Sequence, residues 1–205
     1  DSGVVLKTTN AGNSWFHLNS GIKALLFDVF FLNNQTGYIG GGFTSWDSIG
    51  IGWIRKTTDG GLNWSTLFYE QDSGWVYEIQ FFDENTGVAL FDASISRTTN
   101  GGASWETVAS GSSGSGIAMH FPDSQTGYVM GPVYRVYKST NQGQDWISLN
   151  SGFFGVIQSV SFANVMTGYA VGYGGILIQT TNGGVNWSSG NTVTSSDLLD
   201  VYLVD

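Results

Sequence analysis

The chain has no cysteine, which excludes disulfides, thiolate-bound metals and cysteine nucleophiles. Two prolines stand against 30 glycines in 205 residues, so its turns rest on glycine. Charge is scarce: 11% of residues are charged, and 16 acids against 7 bases leave a net charge of −9. The bases are Lys7, Lys23, Arg55, Lys56, Arg97, Arg135 and Lys138. So few cations cannot neutralise a phosphate backbone, which excludes nucleic acid as a partner, and the same sign disfavours an anionic membrane surface. No apolar run reaches the roughly 18 residues of a spanning helix, so direct membrane insertion is not expected. The two histidines, His17 and His120, lie in different segments, and no His/Asp/Glu spacing matches a metal site. No glycine-rich phosphate loop leads into a helix. No metal and no cofactor are expected.

Aromatic residues are plentiful, with 8 Trp, 9 Tyr and 13 Phe, and they recur in phase. KTTNAGNSW (7–15), KTTDGGLNW (56–64), RTTNGGASW (97–105), KSTNQGQDW (138–146) and QTTNGGVNW (179–187) are five copies of one motif. From Trp64 onward its tryptophans, Trp105, Trp146 and Trp187, follow at intervals of 41 residues. A second motif interleaves: NNQTGY (33–38), DENTGV (83–88), DSQTGY (123–128) and NVMTGY (164–169). Two motifs in fixed phase at this period indicate a propeller or solenoid.

Each period reads as four short strands. Strand A covers 24–32, 76–82, 117–121 and 156–162. It is followed by the Asn/Asp-x-x-Thr-Gly turn, where Gly37, Gly87, Gly127 and Gly168 are expected to take positive φ. A glycine-rich strand B, a strand C ending in the Lys-Thr-Thr element, the Asn/Asp-x-Gly turn and a strand D beginning near the tryptophan complete the unit. Residues 43–53 form an insertion between strands B and C of the first period, and 110–116 (SGSSGSG) form an inter-blade loop. The final LLDVYLVD (198–205) aligns with LFDVFFLN (26–33), and the opening DSGVVLKTT aligns with YGGILIQTT (173–181). The expected fold is therefore an all-β propeller in one domain, 1–205, of five four-stranded blades. Either the N-terminal strands join the C-terminal strand to close the ring, or the chain is part of a longer propeller.

The pattern Ser/Thr-x-Asp/Asn-x-Gly-x-x-Trp resembles the Asp-box, or bacterial neuraminidase repeat. The fuller alternation of Lys/Arg-Thr-Thr-Asn/Asp-Gly-Gly-x-x-Trp with Asn/Asp-x-x-Thr-Gly-Tyr looks like the photosystem II assembly and stability factor family of β-propellers. The resemblance covers nearly the whole chain. It implies a propeller fold and an extracytoplasmic setting: secreted, surface-bound or periplasmic. Within it the box reads as structure. Its acidic position is Asp59 once but an amide at Asn10, Asn100, Asn141 and Asn182, a swap that general-acid catalysis would not survive and turn capping would. Gly12, Gly61, Gly102, Gly143 and Gly184 are expected at positive φ. Trp15, Trp64, Trp105, Trp146 and Trp187 are expected to pack across the hairpin.

Asp-boxes also occur in sialidases and xyloglucanase-type glycosidases. A sialidase needs three converging arginines, whereas Arg55 and Arg97 hold repeating strand C positions and Arg135 precedes the fourth box. A glycosidase needs two carboxylates across a groove; Asp28, Glu78 and Asp200 on A strands and Asp47, Glu70 and Asp72 on loops are the available acids. No catalytic residue is assigned. The photosystem family implies binding of a photosystem subunit through a basic patch. The bases here are mostly the repeating strand C positions, so no family binding residues carry over.

In a propeller the boxes and Thr-Gly turns share one uniform face. The irregular face holds Phe43, Trp46, Asp47, Tyr69, Glu70, Asp72, Trp75, Phe153, Phe154 and Tyr173, aromatics beside acids that suit protein or carbohydrate recognition. The leading expectation is a noncatalytic scaffold or binding module with a protein or glycan partner, within an oligomer or larger assembly. A carbohydrate-active enzyme or lectin is the alternative, and a photosystem-assembly chaperone the third reading.

Overall fold

The computed structural model describes residues 3–43, 50–71, 74–92, 94–110, 117–131, 135–191 and 194–204. An N-terminal pair of strands, β1 (Val4–Lys7) and β2 (Phe16–Asn19), precedes four full repeats. The first comprises β3 (Leu25–Phe31), β4 (Gly37–Phe43), β5 (Ile51–Thr57) and β6 (Ser65–Gln71). The second comprises β7 (Val76–Phe81), β8 (Gly87–Phe91), β9 (Ser94–Thr98) and β10 (Glu106–Ser110). The third comprises β11 (Ala118–His120), β12 (Gly127–Met130), β13 (Arg135–Ser139) and β14 (Ile147–Asn150). The fourth comprises β15 (Ile157–Phe162), β16 (Gly168–Gly172), β17 (Ile176–Thr180) and β18 (Ser188–Ser189). Each full repeat is one four-stranded sheet with sequential strands adjacent, the architecture of a β-propeller blade.

The residues group into two compact units, Asp1–Phe91 with Thr98–Trp105 and Asp92–Arg97 with Glu106–Asp205. In the first, Tyr38, Ile54, Val76, Ile79, Phe81 and Phe91 form the core. In the second, Tyr128, Met130, Val136, Val160, Phe162 and Ile178 do so. One stacking device recurs. The Thr-Gly-Tyr ring of Tyr38 lies on Phe81 of the next repeat at 3.7 Å and 5°, and Tyr128 lies on Phe162 at 3.7 Å and 8°. The box tryptophan meets the same phenylalanine column edge-on: Phe31–Trp64, Phe81–Trp105, Phe121–Trp146 and Phe162–Trp187 cross at 80–87°, a favoured aromatic geometry. Trp15, in the connection between β1 and β2, is 58% exposed.

Within each unit the first strands of successive repeats lie side by side, β3 with β7 and β11 with β15, and side chains cap the N–H groups along that seam. Asp28 Oδ2 accepts from Ile79 N at 2.7 Å in the first unit. In the second, His120 Nδ1 accepts from Phe162 N at 3.3 Å. Ser159 and Ser161 Oγ accept from Val201 N and Leu203 N at 3.2 and 3.0 Å. Residues 198–204 thus lie along β15 as the first strand of a following repeat would.

Two expectations change. Gly37, Gly87, Gly127 and Gly168 are not at positive φ. They open strand B, where an added Cβ would sit 2.3–2.8 Å from the ring of Phe31, Phe81, Phe121 or Phe162. Close approach of an aromatic ring, and not turn geometry, requires glycine there. Among the described residues β1 pairs with β2, and 198–204 join no sheet. The N–H groups of Val201 and Leu203 are taken by serine side chains of β15 instead. Finally, the hairpins of the first repeat are longer than expected, because pairing continues through Phe43↔Ile51, Gly52↔Glu70 and Trp53↔Tyr69. Phe43, Trp53, Tyr69 and Glu70 are therefore strand residues and not loop residues.

Candidate functional site

The boxes form closed hydrogen-bond circuits. In the second, Thr57 Oγ1 accepts from Gly61 N at 2.8 Å and donates to Asp59 Oδ1 at 2.8 Å, and Asp59 Oδ1 accepts from Asn63 N at 2.9 Å. Asn10, Asn100, Asn141 and Asn182 each accept from the N–H four residues on at 2.9 Å. The cap spans four residues. The bonds from Asn63, backbone first and side chain next, followed by Thr57, pull the Asp59 carboxyl down to about 2. Such a carboxylate is a poor proton donor at neutral pH. Gly12, Gly61, Gly102, Gly143 and Gly184 have φ of 72–92°, as their position in the turn requires.

The repeating cations are also occupied. Lys7 Nζ donates to Gly60 O at 2.6 Å in the first unit, and in the second Arg97 Nε donates to Gln142 O at 3.2 Å and Lys138 Nζ to Gly183 O at 2.9 Å. Each ties one box to the backbone of the next. Arg55 donates to Ser20 O and to Trp64 O, and burial lowers its pKa. Lys56 and Lys138 also sit over Tyr38 and Tyr128, 5.3 and 5.2 Å from the ring centres.

Asp28 and Asp200 have structural work. Pairing shifts register just before Asp28 and again before Glu78 and Ser159. Such bulges re-aim the following side chain. Burial raises the Asp28 pKa, partly offset by the N–H groups of Ile79 and Val29. Asp200 Oδ1 accepts from Ser159 Oγ at 2.7 Å and from Val201 N at 2.9 Å.

The irregular residues of the first unit form two aromatic groups. Trp53 crosses Tyr69 at 4.7 Å and 63°, with Phe43 6.3 Å from Trp53. Phe27 stacks on Trp75 at 5.2 Å and 25° and meets Tyr77 at 5.5 Å. Tyr69 is 51% exposed and Phe27 40%. The indole N–H of Trp53 is buried without a hydrogen-bond partner among the described residues. Phe27 and Tyr77 were missed from the sequence. Both are the extra residue of their bulge, and the signal was an aromatic at the same strand A position in two repeats. Beside Phe27, a groove of about 1140 Å³ runs between β1 and β3, lined by Leu6, Leu18, Phe27, Asp28, Val29 and Phe31 among others.

In the second unit Phe153 packs on the core, Phe154 is exposed and Tyr173 lies in a 3-10 turn, Tyr173–Gly175. Trp46, Asp47 and Asp72 lie outside the described residues, as does the Glu70 side chain.

No protein-family model matches the chain, and no curated protein does. Solved structures do. A structure of YCF48 bound to D1 peptide is 20% identical with a TM-score of 0.66, over 87% of this chain and 57% of that one. YCF48 from Cyanidioschyzon merolae is 18% identical with a TM-score of 0.63, over 94% of this chain and 68% of that one. The GH74 enzyme of Niastella koreensis is 16% identical with a TM-score of 0.67, over 94% of this chain and 35% of that one. This chain thus spans little more than half of the peptide-bound YCF48 and about a third of the Niastella enzyme. At such identities the likeness establishes the propeller fold.

Proposed function

We propose that this chain is a noncatalytic, extracytoplasmic binding module that takes a protein segment on the aromatic end of its first unit. The observation that carries this reading is the paired aromatic groups, Phe43–Trp53–Tyr69 and Phe27–Trp75–Tyr77, built on bulged or extended strands and holding half-exposed rings. Rigid aromatics on a strand scaffold give large contact area at low entropic cost. The occupation of Asp28, Asp59, Asp200 and the box cations by backbone groups supports a noncatalytic role. The peptide bound to YCF48, a protein of similar fold, supports a peptide ligand. The GH74 fold neighbours and the ring faces support the second reading, a glycan stacked on the same groups.

The test probes wild type and Tyr69→Ala in parallel against a random peptide library and a glycan array. Peptide hits that weaken by roughly 30-fold in the variant, the loss of about 2 kcal/mol expected of an aromatic anchor, support the reading. Glycan hits with no peptide hits select the second, and binding unchanged by the variant moves the site elsewhere.

A further inference from the structure

The sequence holds two Asn-Gly pairs, Asn100-Gly101 and Asn182-Gly183, and both lie in boxes. The glycine of each pair takes a left-handed turn, at φ 71° and 68°. Ala11 and Gln142 take the same turn in the first and fourth boxes at φ 54° and 59°, so glycine relieves strain at this position. It also leaves the asparagine beside a backbone nitrogen that no side chain shields. That nitrogen can attack the asparagine Cγ. The N–Cγ bond closes a succinimide ring, the Cγ–Nδ2 bond breaks, and ammonia leaves with the displaced amide proton. Water then opens the ring at either carbonyl, giving aspartate or isoaspartate.

The folded box holds one reactant ready and the other back. Asn100 Oδ1 accepts from Ser104 N and from Thr98 Oγ1, both at 2.9 Å. Asn182 Oδ1 accepts from Asn186 N at 2.9 Å and from Thr180 Oγ1 at 3.1 Å. Such donors stabilise the charge that gathers on this oxygen during attack. The nucleophiles are tied elsewhere: Gly101 N donates to Asn85 O at 2.8 Å and Gly183 N to Met166 O at 2.9 Å. Those two carbonyls belong to the Thr-Gly turns. Asp83 fastens one turn, accepting from Asn85 N and Thr86 N at 2.7 and 2.8 Å. Asn164 fastens the other, accepting from Met166 N and Thr167 N at 2.9 and 3.0 Å.

The two products have different fates. Aspartate fits the circuit, as Asp59 does in the second box. Isoaspartate adds a backbone carbon inside the spans that Gly102 N to Thr98 Oγ1 and Gly184 N to Thr180 Oγ1 close at 3.0 Å, so that box does not close again. We propose that Asn100 and Asn182 are self-modification sites, each controlled by its own Thr-Gly turn. Deamidation runs while the turn is lifted off the box, and it leaves an irreversible mark of that opening.

The test incubates the full chain at mildly alkaline pH and follows both sites by peptide mass mapping, which reads the change from amide to acid. In the wild type each site is expected to react at least about tenfold more slowly than in the chain unfolded by urea. Asp83→Ala should speed Asn100 roughly fivefold and leave Asn182 unchanged, and Asn164→Ala should do the reverse. Asp83→Asn keeps an acceptor and should stay near the wild-type rate. A second measurement needs no variant. In urea below the unfolding transition, wild-type rates should stay nearly flat, because the turn opens locally. Rates at both sites that climb together with the unfolded fraction overturn the proposal. So do wild-type rates equal to those of the unfolded chain, or folded alanine variants that speed neither site or both alike.

Discussion

The hydroxyl residue that opens each box, Thr or in the fourth box Ser, and not the acid that gives the box its name, should carry most of its stabilising effect. Thr57 is 1% exposed, and its Oγ1 accepts from the buried Gly61 N–H at 2.8 Å. Replacing it with valine keeps the shape and removes the acceptor. A buried donor left without a partner costs about 1–3 kcal/mol. With a melting shift of about 2–4 °C per kcal/mol for a chain of this length, Thr57→Val should lower Tm by roughly 6 °C, within about 2–12 °C. Two controls fix the cause. Thr57→Ser keeps the hydroxyl, as Ser139 does in the fourth box, where it accepts from Gly143 N at 2.9 Å. It should lose only the methyl group, about 0.8 kcal/mol. Thr8→Val makes the same change in the first box, where the bond to Gly12 N is exposed and water can replace it, so it should cost less than about 0.5 kcal/mol. Calorimetry of the three variants decides. A Thr57→Val loss no larger than that of Thr57→Ser, or matched by Thr8→Val, would refute the reasoning.

Two further outcomes follow from the same circuits and the glycine contacts. Asp59 is held at about 2 in the folded chain against 3.8 for an ordinary aspartate, so its contribution is present above 3.8 and is lost as pH falls through about 2. Asp59→Asn should therefore unfold at lower urea than wild type near neutrality, with the gap closing toward pH 2; a gap independent of pH would contradict the assignment. Gly127→Ala would place a Cβ 2.3 Å from Phe121 and should cost about 1–3 kcal/mol by overpacking. Combined with Phe121→Leu, which makes room, the two losses should fall short of additivity in denaturant titrations.

The blades were legible because two motifs recur in phase and each turn residue has a local job. Asn33, Asp83, Asp123 and Asn164 bond N–H groups two and three residues on, so sequence distance and spatial distance coincide. The glycine of Thr-Gly was misread because its constraint comes from a ring six residues earlier in the chain, as between Phe31 and Gly37, and spacing does not show a side chain's direction. The aromatic site was half legible. Tyr69 and Trp75 stand out as irregular, while Phe27 and Tyr77 look like ordinary strand residues until a bulge adds one position. The task of the repeating lysine and arginine was hidden for a related reason: its acceptor lies 45 to 53 residues away.

That last tie bears on how such an array grows. Lys7, Arg97 and Lys138 each reach forward to the turn of the following box, whose carbonyl is a backbone group and is present whatever residue stands there: Gly60, Gln142 or Gly183. One 41-residue repeat therefore encodes both the donor it extends and the acceptor it offers. A duplicated segment inserts with its joints already matched on both sides, and a deleted one leaves neighbours that still fit. Copy number can change by recombination without a compensating mutation, while the side chains of the irregular loops stay available for each lineage to vary.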